Sequence, residues 1–502
     1  MTTETNTAVN KAKLYQLILF PFNNGATNVY YVLTLNFIAY HANGVLALAM
    51  MFATTMVTVM RVFDAVTDPI IGALIDKTST KFGKFRPYMV LGNVIMAGSS
   101  ILLYFGTRII AEDMMWLKYT LFVLFYALYV IGYTFQTACT RSGQTCLTND
   151  PNQRPLFTIF NTIASLVGMG AIQVLAPFLG ARLGGYGTEG FFNVMIPVCI
   201  ILSAGLTVLA IIGIWEKDNE KYFGVGGKQE KVKVAEYVAI MKANKELQRL
   251  MIAGAGTKLA FSIATNMTVL CMLYGSMMGN YNGLFLPMMI LGYVFSAPFF
   301  LLTVRTSQKH GQKASLVRYT MLALIMYVGV LALLLFWKQG NPATTLNFSD
   351  INLYTVLFVL LFGIGYGAYY ATADMPIPMV ADCSDYETYR SGRYIPGIMG
   401  TLFSLVDKLV SSLGSTIVGV ALAMIGIHQL PDTNTPYADG MHWVVIILFC
   451  VIPMLAWIAT LWAMKGYTLT GPRMKEIQTV NAKRKEAIEG GMSLEEAMKT
   501  YQ

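Results

Sequence analysis

The run Arg61-Val-Phe-Asp64-Ala-Val-Thr67-Asp68-Pro69-Ile-Ile-Gly72 decides how the chain is read, together with the loop that ends it, Asp76-Lys77-Thr-Ser-Thr-Lys81-Phe-Gly83-Lys84-Phe-Arg86-Pro87. From about Val45 to Leu74 the surrounding sequence is otherwise apolar. On one helix Arg61, Asp64 and Asp68 fall at i, i+3 and i+7 and share a face. At 1.5 Å per residue Asp64 lies roughly 15 Å from the basic end, near the middle of a hydrocarbon layer about 30 Å thick. Ionised groups at that depth are costly and mark ion or substrate pathways. Pro69 cannot donate to the carbonyl of Ala65, which frees a backbone oxygen one turn back. Two carboxylates, the Thr67 hydroxyl and that carbonyl are hard oxygen donors of the kind a small cation takes. The competing reading is a structural ion pair of Arg61 with one aspartate. Arg61 answers only one of the two charges, so a cation or a proton is expected on the other.

The composition sets the class. Of 502 residues, 55% are hydrophobic and 13% charged, against about 25% charged in soluble domains. Apolar segments recur at about 14–42, 45–74, 88–110, 116–146, 155–182 and 191–215, then at 250–278, 283–304, 316–337, 351–380, 398–426 and 440–464. They predict an all-α polytopic membrane protein with twelve transmembrane helices in two six-helix bundles. The expected divisions are a polar tail 1–13, a first bundle 14–215, a charged middle loop 216–249, a second bundle 250–464 and a charged tail 465–502. Even-numbered connections hold Lys77, Lys81, Lys84, Arg86, Arg154, Arg305, Lys309, Lys313, Arg390 and Arg393. Odd-numbered ones hold few basic residues: Arg108, Lys118, Arg182 and Lys338. Both termini and the middle loop are therefore expected in the cytoplasm, and the protein in the inner (plasma) membrane of the cell. The net charge of +9 belongs to these loops and is no argument for nucleic acid. Cys139, Cys146, Cys199, Cys271, Cys383 and Cys450 lack paired spacing and read as small core residues. The first apolar run is too long for a cleavable signal.

Lys77-Thr-Ser-Thr-Lys81-Phe-Gly83-Lys84 after the second span has a counterpart in Arg305-Thr-Ser-Gln-Lys309-His-Gly311-Gln after the eighth. The matching topological place points to duplication, two halves around a midplane cavity, and alternating access by rocking one half against the other.

Phe63-Asp64-Ala65, Asp68-Pro69, Gly72 and Lys81-Phe-Gly-Lys-Phe-Arg-Pro87, with Val380-Ala-Asp382-Cys-Ser-Asp385-Tyr-Glu387 later, resemble the glycoside–pentoside–hexuronide:cation symporters of the major facilitator superfamily. The resemblance implies cation-coupled sugar or glycoside transport, with Na⁺ or H⁺ as the coupling ion and no other cofactor. It implies a cation (metal) site at Asp64, Thr67, Asp68 and Thr134. Thr67 stands where the family's best-studied member has asparagine. The span-eleven lysine matches Lys408, which follows Asp407. Cytoplasmic gate charges match Asp150, Arg154, Asp382 and Arg390, and the basic loop with Asp76 and Arg86 is expected to clasp the outward-open state. At the sugar site, acids of that member align with Asn24 and Thr137, an arginine with Asn161, and a tryptophan with Arg141. Two negative charges are lost and one positive charge moves, which favours an anionic, uronide or sulfonated, glycoside because a guanidinium reads such groups with two parallel bonds. Alternatively Arg141 pairs with Asp374, leaving a pocket for a neutral sugar or an apolar glycoside. Tyr30 and Tyr31 are candidate stacking rings. Expected partners are thus a small sugar or glycoside, a monovalent cation and the bilayer, with the protein a monomer.

Other classes fit less well. Asp64-x-x-x-Asp68 has the spacing of an intramembrane metal-dependent enzyme, but its only companion is Asp382-x-x-Asp385 and no nucleophile–base set accompanies it. An uncoupled facilitator would not need the acid pair. In the tail, Ser493-Leu-Glu-Glu496 has capping-box spacing and reads as a solvated helix without a part in transport.

Overall fold

A computed structural model describes residues 11–78, 80–148, 153–219, 241–392 and 396–501. The chain divides into two compact units, the first reaching residue 230 and also taking in Leu422–Asn434, the second holding the remainder. In the first, a short helix Leu14–Leu19 precedes α1 (Phe22–Tyr40), α2 (Met50–Lys77), α3 (Arg86–Tyr104), α4 (Met115–Leu147), α5 (Gln153–Leu183) and α6 (Glu189–Ile214). The second contains α7 (Lys245–Ala264), α8 (Tyr281–His310), α9 (Gln312–Leu335), α10 (Leu353–Thr372), α11 (Pro376–Ser391), most of α12 (Pro396–Met424), α13 (Ile452–Gly466), α14 (Gly471–Glu489) and α15 (Leu494–Thr500).

Among the described residues ten helices are long and apolar enough to cross a membrane, and α7 with Met267–Met277, bent by 45° at the break, makes an eleventh. With α1, whose nineteen residues run on into a π turn at His41–Val45, the expected twelve spans are accounted for. Two boundaries differ from the hydropathy reading. The first span starts after a break at Phe20–Pro21, since proline cannot donate into the preceding turn. The seventh breaks at Thr265–Asn266, where the Asn266 side chain accepts from the Thr268 amide and caps a new helix.

The polarity of α2 is inverted relative to a soluble helix. Val59, Val62, Val66 and Ile70 are exposed at helical spacing, while Asp64 and Thr67 are buried. The apolar stripe suits hydrocarbon and the acids turn away from it. Between α3 and α4, Gly92 and Gly132 face each other: a Cβ on either would lie 2.8 Å from the carbonyl oxygen of the other. The close crossing depends on both, as small-residue contacts do in membranes. All six cysteines are buried.

The two repeated loops each carry a glycine in the left-handed half of conformational space. Gly83 and Gly311 both adopt positive φ, +100° and +89°, which glycine tolerates without a steric cost. The loop of the first unit is closed by Asp218, just past α6. Its fully buried carboxylate accepts from the amides of Lys84, Phe85 and Arg86 at 2.8–3.1 Å. The loop of the second unit is closed by the opposite polarity, the Lys313 ammonium donating to the Tyr467 carbonyl at 2.6 Å.

The segment Leu422–Asn434 departs from the expected second bundle of 250–464. Asp432 accepts from the amides of Tyr186 (2.8 Å) and Gly187 (2.7 Å), Asn43 accepts from the Leu430 amide (2.8 Å), and the Tyr40 hydroxyl donates to the Pro431 carbonyl (2.7 Å). These bonds group it with the first unit. The charged tail is also less solvated than expected. Ser493 and Glu496 form the capping box, but Ile477 and Arg484 are buried. Arg484 donates to the Tyr389 carbonyl at 2.6 Å and lies over the Tyr389 ring, fastening α14 to α11. Of the expected middle loop 216–249, residues 220–240 lie outside the described residues.

Candidate functional site

The site grows from two stripes with the same spacing. On α2, Arg61, Asp64 and Asp68 share a face, and on α4, Thr134, Thr137 and Arg141 repeat the i, i+3, i+7 pattern. Where the stripes meet, the Thr134 hydroxyl is 2.9 Å from Asp64 Oδ1 and 3.2 Å from the Thr67 hydroxyl. Thr67 in turn lies 3.0 Å from the Asp64 carbonyl oxygen. The helix runs unbroken through Pro69. The structure therefore brings Asp64, Thr67 and Thr134 together in one buried oxygen cluster. Beside it is a small cavity of about 20 Å³, bordered by Asp64, Arg61, Tyr31, Tyr126, Tyr129 and Tyr133 among others. That is room for one water-sized occupant.

Arg61 closes the other side of Asp64, with Nη1 3.1 Å from Oδ2. Its guanidinium lies over the Tyr31 ring, 5.0 Å from the centroid, and Tyr31 stacks on Tyr133. Tyr31 is thus a cation–π partner of Arg61, while Tyr30 is buried against Tyr129. Asp68 has a second arginine: Arg141 Nη1 is 3.5 Å from its Oδ2. This corrects the charge argument. Two arginines answer two aspartates, so no net negative charge is left over by these four residues.

The Thr137 hydroxyl bonds back to the Tyr133 and Thr134 carbonyls of its own helix, at 3.0 and 3.2 Å. Asn24, Asn28 and Asn161 form an amide ladder through side chain and main chain: Asn28 Nδ2 donates to the main-chain carbonyl and the side-chain oxygen of Asn24 at 2.8 and 3.0 Å, and Asn24 Nδ2 donates to the main-chain carbonyl of Asn161 at 3.4 Å. Among the described residues the buried Asn161 side-chain oxygen has no hydrogen-bond partner.

In the second unit, Asp374 pairs with Lys258 at 2.5 Å, and the same lysine is 3.8 Å from Asp407. Asp374 therefore has a basic partner within its own unit. Lys408 is buried on α12. Of the expected gate residues, Arg86 is engaged within the first unit, 3.4 Å from Asp218 and over the Trp215 ring. Arg390 pairs with Glu387 one turn back at 2.8 Å. Asp382 lines a cavity of about 410 Å³ with His310, Lys313 and Met474. Asp150 lies outside the described residues, as do the side chains of Asp76 and Arg154.

Sequence reasoning missed three parts. Tyr126, Tyr129 and Tyr133 surround Arg61 at helical spacing, a periodicity that was open to reading. Lys258 is a charge inside an apolar span, as conspicuous as Asp374. Asp218 carries no local signal, because its partners lie more than a hundred residues away.

A family described as MFS/sugar transport protein matches residues 21–471. The putative glycoside/cation symporter YagG of Escherichia coli (strain K12) is 24% identical over 88% of this chain and 89% of its own. The glucuronide carrier protein homolog of the same organism is 24% identical over 85% and 86%. Among solved structures, a bacterial homolog of the human lysosomal transporter Spinster, inward-facing and unoccupied, aligns with TM-score 0.57 at 14% identity, over 91% of this chain and 97% of that one. The last likeness concerns the fold alone. With the family matched over nearly its whole length, the chain belongs to the major facilitator superfamily, among its MFS/sugar transport proteins and the glycoside–pentoside–hexuronide:cation symporter group.

Proposed function

We propose that the protein is a secondary active transporter that couples a monovalent cation, Na⁺ or H⁺, to symport of an anionic glycoside by alternating access. The observation that carries this reading is the oxygen cluster at Asp64. A carboxylate that is 1% exposed inside an apolar span meets two threonine hydroxyls beside a cavity of ionic size. Such a cluster is expensive unless it does work. Relatives named for glycoside/cation symport and glucuronide carriage support the coarse assignment.

In this reading Asp64, Thr67, Thr134 and Asp68 hold the cation. Arg141, Thr137, Asn24 and Asn161 of the first unit face the glycoside. The amide ladder suits sugar hydroxyls, since each amide both donates and accepts. Arg141 suits an acidic substituent. By linkage, cation and substrate each raise the affinity for the other by the same factor. The protein works in the inner (plasma) membrane with both termini in the cytoplasm.

A second reading has one observation in its favour. Arg141 already faces Asp68, and if it stayed there the amide ladder alone would serve a neutral sugar. Uptake into proteoliposomes separates the two. With an inward Na⁺ or proton gradient, 4-nitrophenyl β-D-glucuronide is expected to accumulate well above the matching glucoside. Accumulation of the glucoside alone would favour the neutral sugar, and accumulation of neither under any gradient would remove the symport reading.

A further inference from the structure

The two aspartates of α2 are held by arginines in very different positions. The Arg61 side chain is 12% exposed and fixed between Asp64 and an aromatic ring. The Arg141 side chain is 61% exposed and reaches Asp68 through one nitrogen at 3.5 Å, with Asp68 itself 21% exposed. A buried pair resists separation because each partner would be left as an uncompensated charge. An exposed pair with one long contact is worth little and opens readily.

We propose that Arg141 is an exchange residue. It holds Asp68 while substrate is absent, then transfers to the acidic group of the arriving glycoside and leaves Asp68 to accept the cation. The inference rests on the anionic-symport reading above and gives it a coupling step. A planar guanidinium forms two parallel bonds to a carboxylate or sulfonate, which outcompete a single long contact. The placement fits the task. Arg141 shares its face of α4 with Thr137 and with Thr134, which touches Asp64, so substrate and cation groups lie along one helix edge.

Charge favours the exchange. Arg61, Arg141, Asp64 and Asp68 sum to zero. A cation alone would bring these four to +1 and an anion alone to −1, which is least favourable at the buried Arg61–Asp64 end. One monovalent cation and one monoanion together restore zero. The stoichiometry is therefore one to one, and neither the empty nor the loaded form of this cluster carries charge across the membrane.

Full-length protein in proteoliposomes tests this with 4-nitrophenyl β-D-glucuronide as probe. Wild-type uptake is expected to rise with an inward Na⁺ or proton gradient and to ignore a potassium diffusion potential set with valinomycin. A several-fold response to the potential alone would overturn the exchange and leave symport standing. In the Arg141→Gln variant, binding of radiolabelled sodium, or proton uptake, without glucuronide should tighten by about tenfold. The mutual enhancement of cation and glucuronide should fall towards one in that variant and persist in Arg141→Lys. Unchanged cation affinity in Arg141→Gln would also overturn the proposal. The wild-type arm decides the matter even if that variant does not fold. Transport of the neutral glucoside with no binding of the glucuronide would remove the anionic reading itself, and the exchange with it.

Discussion

Arg61 with Asp64 and Arg141 with Asp68 are built from the same two residue types on one face of α2, and they differ in everything that sets their energy. The first pair is buried, short at 3.1 Å and covered by Tyr31. The second is open, long at 3.5 Å and single-pronged. Sharing a helix face makes charges neighbours, but exposure decides whether a pairing is architecture or a contact that a ligand can replace. The second unit offers a third solution. There one ammonium, Lys258, lies near two carboxylates, Asp374 at 2.5 Å and Asp407 at 3.8 Å.

The contrast can be broken by mutation. The largest effect is expected from Arg61→Ala, which strands a carboxylate that is 1% exposed. Loss of one partner from a buried pair costs about 3–5 kcal/mol, and the thermal midpoint in detergent should fall accordingly; a variant as stable as wild type would make the two pairs equivalent. Asp218→Ala comes next. It removes the acceptor of three buried or half-buried amides, at about 1–3 kcal/mol. Hydrogen exchange should accelerate at Lys84, Phe85 and Arg86 and not at the Gly311 turn. Ser493→Ala deletes a cap worth about 1 kcal/mol, and its effect should be confined to faster exchange in Leu494–Thr500. Smallest is Arg141→Gln. An exposed pair contributes about 0–1 kcal/mol, so its midpoint should stay near that of wild type while its cation coupling changes. A midpoint drop as large as that of Arg61→Ala would erase the distinction between the pairs.

The fold was readable because membrane solvation writes itself into composition. Twelve apolar runs and a repeated loop located the helices, and the stripe Arg61–Asp64–Asp68 located the cluster. Thr134 came from resemblance, and the structure places its hydroxyl 2.9 Å from Asp64. What escaped reading was pairing at a distance. Counting charges along α2 left one aspartate over, because its arginine sits on α4 in a different apolar run. Arg86 stood out from its loop, while its partner Asp218 becomes visible only when α6 returns beside it. The break at Asn266 was missed because hydropathy averages over a capping side chain. The tail was read as solvated because its charges are many, although Ile477 and Arg484 bury against the second unit's own helices.

In the proposed function the buried oxygen cluster of α2 and α4 converts a cation gradient into solute movement. The decisive measurement is uptake of 4-nitrophenyl β-D-glucuronide into proteoliposomes carrying the Asp64→Asn variant, with and without an inward Na⁺ or proton gradient. Downhill equilibration with no gain from either gradient is expected. Accumulation driven by the gradient to the wild-type level would contradict it.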